Sequence, residues 1–278
     1  MTAQLLKGVA REIRRHTLRA VHHAGAGHIG GVFSAAEMLA TLYFHVLRID
    51  PQNPAWPDRD RFILSKGHCA IGLYAVLALR GYFPIEELET FDAIDSRLQG
   101  HPDMTKLPGL DMSTGSLGQG LSPGIGMALA ARMTGRGFHT WVMIGDGETQ
   151  EGQIWEAAFC AARYSLDNLT VILDWNGLQQ YGWATPAGYE SNARRNPADG
   201  VQAKWSAFGW NVLECDGHDP AAFVDACTRA RDASDKPAII IAHTTKGKGV
   251  SFMEGDYTWH SRPLSDEVVA QAISELAQ

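Results

Sequence analysis

The segment from His139 to Asn176 constrains the fold more than any other part of the chain. Residues 139–144 (HTWVMI) and 169–173 (LTVIL) are short apolar runs that predict buried strands, and residues 154–164 (IWEAAFCAARY) carry apolar side chains at helical spacing. A strand, a helix and a second strand in this order form a crossover, which places both strands parallel in one sheet. The sequence therefore predicts an α/β fold, with a mostly parallel central sheet and helices on both faces.

Side chains with oxygen ligands follow both strands. Asp146 lies between Gly145 and Gly147 after the first strand, and Asn176 lies just past the second. Because ligands of open α/β sheets bind at the carboxyl edge of the strands, we expect these two side chains to lie close together. A carboxylate and an amide oxygen suit Mg²⁺. Gly147 and the following helix N-terminus favour a phosphate at the same place.

Residues 145–179 (GDGETQEGQIWEAAFCAARYSLDNLTVILDWNGLQ) resemble the diphosphate-binding segment of the transketolases. The resemblance implies the thiamine-diphosphate-binding fold. It also implies that Asp146, Asn176 and the carbonyl of Leu178 hold Mg²⁺, or Ca²⁺ or Mn²⁺ in its place. That metal would hold the two phosphates of thiamine diphosphate next to Gly147.

Four histidines stand in separate segments, each beside a glycine or in a loop that follows a strand: His28, His68, His101 and His260. From the residues alone, a loop histidine such as His28 is usually a solvated side chain, and His68 fits either a helix cap or a phosphate contact; an imidazole is also able to exchange protons near neutral pH. The resemblance assigns His28 and His101 to the substrate and His68 to the diphosphate. It makes His260 the last active-site histidine, in contact with both cofactor and substrate.

Two glycine-rich loops complete the predicted site. Residues 114–120 (TGSLGQG) do not follow a clear strand, and small residues there also suit tight helix packing; the resemblance places Gly115 and Leu117 against the cofactor. Residues 244–249 (TTKGKG) follow the last predicted strand. Lys246 and Lys248 fit either a solvated charge pair or a phosphate contact, and we predict that Lys246 binds the cofactor.

The remaining pattern predicts where most helices and strands lie. Ser34 and Glu37 have the spacing of a capping box, so a helix is expected to start at Ser34. The other predicted helices are 5–23, 69–79, 85–91, 121–133, 198–208, 220–231 and 265–276, and the other predicted strands are 61–65, 210–213 and 238–243.

Composition narrows the class of protein. The chain has 278 residues and a net charge of −7 with no basic run, which argues against nucleic-acid and anionic-membrane partners. The four cysteines lack metal spacing and are expected to be buried free thiols. No signal peptide and no apolar run of about 18 residues is seen, so we expect a cytoplasmic protein.

The resemblance covers residues 5–263 and only the first part of a full-length transketolase. We therefore expect residues 1–278 to form a single diphosphate-side domain. The pyrimidine-side domain, which carries the glutamate that activates the aminopyrimidine, is expected on a separate C-terminal subunit in an α2β2 heterotetramer. The implied reaction moves a two-carbon ketol unit from a ketose or ketose phosphate to an aldose, through a carbanion on thiamine diphosphate.

Two alternatives stay open at this point. One is another thiamine-diphosphate enzyme, similar to deoxyxylulose-phosphate synthase or to a 2-oxo acid dehydrogenase subunit; the 244–249 string suits the synthase. The other is a non-catalytic scaffold subunit on the same fold. Ile29, Ser116 and Ser261 depart from the usual transketolase pattern and leave the donor and acceptor sugars undetermined.

Overall fold

A five-stranded parallel sheet forms the centre of the computed structural model, which describes residues 1–179 and 200–277. The strands are β1 (Arg61–Leu64), β2 (Thr140–Gly145), β3 (Leu169–Trp175), β4 (Asn211–Asp216) and β5 (Ala238–His243), in the order β1-β2-β3-β5-β4. β2 and β3 are parallel neighbours, as the crossover pattern predicts. The predicted strand 210–213 ends three residues before β4 does, because β4 is an edge strand whose later residues, Glu214 among them, are polar.

Helices cover both faces of the sheet, as predicted. α1 (Ala3–Ala24), α2 (Gly30–Thr41), α3 (Ala70–Arg80) and α7 (Pro220–Arg231) share one core with the sheet. α4 (Leu121–Met133), α5 (Gly152–Arg163) and α6 (Val201–Ala207) share the other core. α8 (Asp266–Glu275) packs against α1.

Alternate side chains of each central strand enter opposite cores. On β3, Ile172 belongs to the α1 side, whereas Val171 and Leu173 belong to the α5 side. A strand that is buried on both faces has no polar face, which is why these strands read as continuous apolar runs in the sequence.

The predicted capping box at Ser34 and Glu37 is wrong. α2 starts at Gly30, and Ser34 lies inside the helix, where its Oγ donates to Asp174 Oδ2 at 2.6 Å. Glu37 accepts two hydrogen bonds from Arg14, both at 2.6 Å. Every residue of α2 is buried, and both side chains bind partners from other elements; Ser34 Oγ also lies 3.1 Å from the Gly31 carbonyl oxygen in the first turn of α2.

Two smaller expectations are confirmed in part. α6 starts at Val201, and positions 198–199 of the predicted helix lie outside the described residues. All four cysteines are free thiols; Cys69 and Cys227 are buried, but Cys160 and Cys215 are only half-buried. None of the helices described here is long and apolar enough to cross a membrane.

Two glycines of α4 give opposite predictions for the same substitution. A Cβ on Gly124 would lie 2.6 Å from a methyl group of Val142, a stiff β-branched side chain in the sheet, whereas a Cβ on Gly126 would meet no atom within 4 Å. We expect Gly124→Ala to lower the free energy of unfolding by about 1–3 kcal/mol through overpacking. Gly126→Ala is the matched control and should raise it by up to about 1 kcal/mol through helix propensity. Urea unfolding of both variants measures the difference, and equal stability would contradict the tight fit of α4 on the sheet.

Candidate active site

Loops from four strand ends meet around one cavity of about 220 Å³ at the carboxyl edge of the sheet. Lys66 and His68 follow β1, Asp146 follows β2, Asn176 follows β3 and Lys246 follows β5. All the residues predicted for the site line this cavity except His101: His28, His68, Gly115, Leu117, Asp146, Gly147, Asn176, Leu178, Lys246 and His260.

Three of the four predicted histidines contact one another. The ring centroids of His28, His68 and His260 are 5.2 Å apart in each pair. A β-bridge between His28 and Ser261 joins the first loop to the last, and it brings His260 to His28. His101 lies 6.4 Å from His28 and lines an adjoining depression with His28 and Ser261.

These imidazoles are neutral at physiological pH. Burial, reinforced by nearby lysines, lowers the pKa of His28 and of His68 to about 4 and the pKa of His260 to about 3. Burial also lowers the pKa of His101. A neutral imidazole has one donor and one acceptor nitrogen, so each ring is able to exchange a proton with a bound hydroxyl or carbonyl oxygen.

A buried ion pair lies beneath the cavity and was not predicted. Lys66 is 2% exposed and its Nζ donates to the carboxylate of Asp174, which is fully buried. Burial lowers the pKa of Lys66, but the Asp174 carboxylate outweighs burial and raises that pKa above its usual range. Asp174 also accepts from the hydroxyls of Ser34 and Thr244. A sequence pattern that points to this ion pair is a lysine directly after one predicted strand and an aspartate near the end of another, both at the edge of the sheet where ligands bind.

The same aspartate orients the side chain of Asn176. Asn176 Nδ2 donates to Asp174 Oδ2 at 3.2 Å, and Asn176 Oδ1 accepts from the Leu178 amide at 3.1 Å. Because a carboxylate only accepts, the Asn176 amide must turn its nitrogen toward Asp174 and its oxygen away from it.

Asp146 is a buried carboxylate with little compensation. It is 5% exposed, and its Oδ1 accepts from the Gly147 amide at 2.8 Å. Burial and the neighbouring Asp174 raise the pKa of Asp146 to about 6. Within the described part of the chain, its second oxygen accepts no hydrogen bond. Such a group favours a bound cation.

Lys246 already contacts the backbone that was assigned to the metal. Its Nζ donates to the carbonyls of Leu178 at 2.7 Å and Gln179 at 2.9 Å, and it lies 3.0 Å from His260 Nδ1. Since an ammonium group only donates, Nδ1 is the acceptor and the ring proton of His260 is on Nε2. Burial lowers the pKa of Lys246.

Glu148 is a further residue that the sequence analysis missed. It is 1% exposed; its Oε1 accepts from the Gly118 amide at 2.8 Å, and its Oε2 accepts from the Gly145 amide at 3.2 Å. Glu148 thereby joins the 114–120 loop to the turn after β2, which explains how Gly115 and Leu117 reach the cavity.

The side chains fit a metal ion bound to a diphosphate. The cavity combines the undercompensated carboxylate of Asp146, the oriented amide oxygen of Asn176 and the ammonium group of Lys246, which suits a dication and the anion that completes its coordination. Glycine is needed where the start of α2 and the 114–120 loop pack closely beside the cavity: a Cβ on Gly31 would lie 2.8 Å from Cys69 Sγ, and one on Gly115 would lie 2.9 Å from His101 Cδ2. No group of three His, Cys, Asp or Glu side chains forms a metal cluster in residues 1–179 and 200–277, so a metal here needs oxygens from the anion as well.

The ionisation of Asp146 and that of Asp174, at the same edge of the sheet, are expected to change folding stability with pH in opposite directions. In metal-free protein, the pKa of Asp146 is about 6 when folded and 3.8 ordinarily, so between these values the unfolded chain loses its proton first and stability falls as pH rises. Asp146→Asn removes this cost. The free energy of unfolding of this variant should exceed that of the parent by an amount that grows from pH 4 to 6 and levels off near 3 kcal/mol, about 1.4 kcal/mol for each pKa unit.

Asp174→Asn is the matched contrast. The pKa of Asp174 is lowered because Lys66 outweighs its burial, so its carboxylate stabilises the fold above pH 3.8 and less below it. The variant should lose about 3–5 kcal/mol at neutral pH, because Lys66 is left buried without a partner. Denaturant titrations from pH 4 to 8 measure both variants. A metal-free Asp146→Asn that is less stable than the parent at pH 8 would contradict this account.

Comparison with known proteins places this site in a family. Residues 6–277 match the family model described as transketolase, thiamine diphosphate binding domain. The chain is 45% identical to 6-deoxy-6-sulfo-D-fructose transketolase subunit SqwG of Clostridium sp. (strain MSTE9), over 98% of this chain and 96% of that protein. It is 38% identical to one of the subunits of the apulose-4-phosphate transketolase of Phocaeicola vulgatus, over 100% and 96% of the two chains.

Longer transketolases match over the same region. Human transketolase is 39% identical over 98% of this chain but only 42% of its own length. The crystal structure of transketolase from Campylobacter jejuni superimposes with a TM-score of 0.89 at 32% identity, covering 100% of this chain and 43% of that one. This protein therefore belongs to the transketolase family, and it corresponds to the family's thiamine diphosphate binding domain.

Proposed function

We propose that this chain is the diphosphate-side subunit of a two-chain transketolase, which moves a two-carbon ketol unit from a ketose or ketose phosphate to an aldose. The observation that carries the proposal is the undercompensated carboxylate of Asp146. It lies beside the oriented Asn176 amide and Lys246, in a cavity that also holds three neutral histidines. A scaffold subunit has no need for this costly arrangement.

In this proposal, Asp146, Asn176 and the carbonyl of Leu178 hold Mg²⁺. Lys246 exchanges its contacts with the carbonyls of Leu178 and Gln179 for the diphosphate oxygens. The other contacts to thiamine diphosphate come from His68, Gly115, Leu117, Gly147 and His260. Bound there, thiamine diphosphate supplies the nucleophilic carbon and the electron sink for cleavage of the C–C bond.

The proton transfers fall to His28, His101 and His260. His28 and His260 line the cavity and His101 lines the adjoining depression, and each neutral ring is able to take a proton from a substrate hydroxyl or give one to a carbonyl oxygen. Acid–base groups of this kind typically contribute about 10²–10⁴-fold to rate. Of the three positions that depart from the transketolase pattern, Ile29 is fully buried, and Ser116 does not line the cavity. Ser261 lines the depression beside His28 and His101, so it is the one placed to influence the choice of sugar.

We further propose that residues 1–278 form one domain and that a separate pyrimidine-side subunit completes an α2β2 heterotetramer. Two relatives of nearly the same length are named as transketolase subunits, and full-length transketolases are more than twice as long, which supports this division. An interface of this obligate type buries on the order of 2,000–5,000 Å². The four free thiols favour the reducing cytoplasm as its location.

Calorimetric titration with thiamine diphosphate and Mg²⁺, in the presence of the partner subunit, tests the proposal. We expect Mg²⁺-dependent binding, and a loss of roughly 100-fold or more in Asp146→Ala, because a metal ligand is removed. Asp225→Ala is the control: this carboxylate is exposed and forms a surface ion pair with Arg229 on α7. Ketol transfer by the complex should accompany binding. Turnover of pyruvate without ketol transfer would favour a synthase instead, and no binding at all would favour the scaffold.

A further inference from the structure

A second buried charge cluster lies behind the loop that carries Lys246. Arg14 is 4% exposed and Glu37 is 7% exposed, and the guanidinium makes two hydrogen bonds of 2.6 Å to the Glu37 carboxylate. Arg14 also donates to the carbonyl of Phe33 at 2.7 Å. The third member is His218, whose Nδ1 lies 3.0 Å from Glu37 Oε2. The cluster therefore joins α1, α2 and the loop that follows β4.

The hydrogen-bond pattern assigns the tautomer of His218. The backbone amide of Thr245 lies 2.8 Å from His218 Nε2. An amide only donates, so Nε2 is unprotonated, and the ring proton is on Nδ1, which donates to Glu37. Burial opposes ionisation of Glu37, but Arg14 and His218 outweigh it and hold the pKa of Glu37 at about 2. An ionised Glu37 is the acceptor that this tautomer requires.

Thr245 lies between two residues that serve the cavity. The hydroxyl of Thr244 donates to Asp174, and Lys246 Nζ reaches the carbonyls at the end of the Asn176 loop. The backbone packs tightly against its neighbours on both sides of Thr245. A Cβ on Gly217, beside His218, would lie 2.5 Å from Thr244 Cγ2, and a Cβ on Gly247 would lie 2.2 Å from the carbonyl oxygen of Met253.

We propose that His218 is a positioning residue for Lys246: its Nε2 fixes the amide of Thr245, and Glu37 with Arg14 holds the imidazole in the required tautomer. His218 contacts neither the cavity nor the predicted metal ligands, so it acts only through the 244–246 backbone. The inference rests on the proposed function for the identity of the ligand, thiamine diphosphate, but the positioning of the loop is tested without any ligand.

The first test uses the full-length chain alone. Two-bond ¹H–¹⁵N correlation spectra distinguish protonated from unprotonated imidazole nitrogens, and we expect an unprotonated Nε2 at His218. Hydrogen exchange of the segment 244–249 should be roughly 10-fold faster or more in His218→Phe, which loses the acceptor. His218→Gln retains an acceptor oxygen and should restore much of the protection.

The matched control is His243→Phe. His243 also pairs with a glutamate, Glu214, at 2.8 Å and at the same edge of the sheet. That pair is half-exposed and holds no loop amide, so exchange of the segment 244–249 should stay unchanged. A protonated Nε2 at His218, or equal exchange in His218→Phe and the parent, overturns the proposal.

A double-mutant cycle then tests the route to the ligand. Binding of thiamine diphosphate and Mg²⁺ should weaken roughly 10-fold in His218→Phe, as for groups that orient ligand-binding residues. The double variant with Lys246→Met should bind no more weakly than Lys246→Met alone, since both changes remove the same contact. Additive losses would show that His218 acts elsewhere and would overturn the inference. Absence of binding in the parent would defeat the proposed function, while the spectra and the exchange rates would still decide the role of His218 in the loop.

Discussion

The buried pair of Lys66 and Asp174 is the interaction on which the cavity depends. Desolvating two charges costs several kcal/mol each, and their attraction offsets this only when further hydrogen bonds complete the geometry. Here the carboxylate accepts from Lys66, Ser34, Thr244 and Asn176, which come from four different segments. One aspartate at the end of β3 therefore aligns the loops after β1, β3 and β5 with the start of α2.

Because of that ion pair, the two lysines of the site have partners of different charge. Lys66 is fully committed to Asp174 and to the carbonyl of Gly31, whereas Lys246 bonds only neutral groups at its Nζ among the described residues. A lysine held by carbonyls and an imidazole is able to exchange them for an anion at lower cost than one that must leave a carboxylate. Asp146, in turn, lacks a direct cation of its own. In the proposed function, the dication would compensate Asp146 and the diphosphate would compensate Lys246.

The location of the site was predictable from the sequence because it follows from a topological rule. Asp146, Asn176 and Lys246 each lie within three residues of a strand end, and the parallel crossover brings those ends to one edge. Most of the supporting contacts were harder to predict, since they join segments that are distant in the sequence. Ser34 and Glu37 have a perfect capping spacing, yet their partners are Asp174 and Arg14 on other elements. Local sequence patterns indicate periodicity and chain direction, but they do not indicate which buried charged side chains form a pair.

The bridge between His28 and Ser261 has a consequence for the order of synthesis. These residues lie near opposite ends of the chain, and Arg15 of α1 likewise donates to the carbonyl of Leu276, next to the last residues. A chain emerging from the ribosome is therefore able to form much of its sheet while the histidine cluster is still incomplete. Because His260 follows all five strands in the chain, the three rings come together only after the whole described sheet has been synthesised. A chain that has not yet reached His260 lacks one of the three rings that line the cavity, so the order of synthesis places completion of the site after the sheet that supports it.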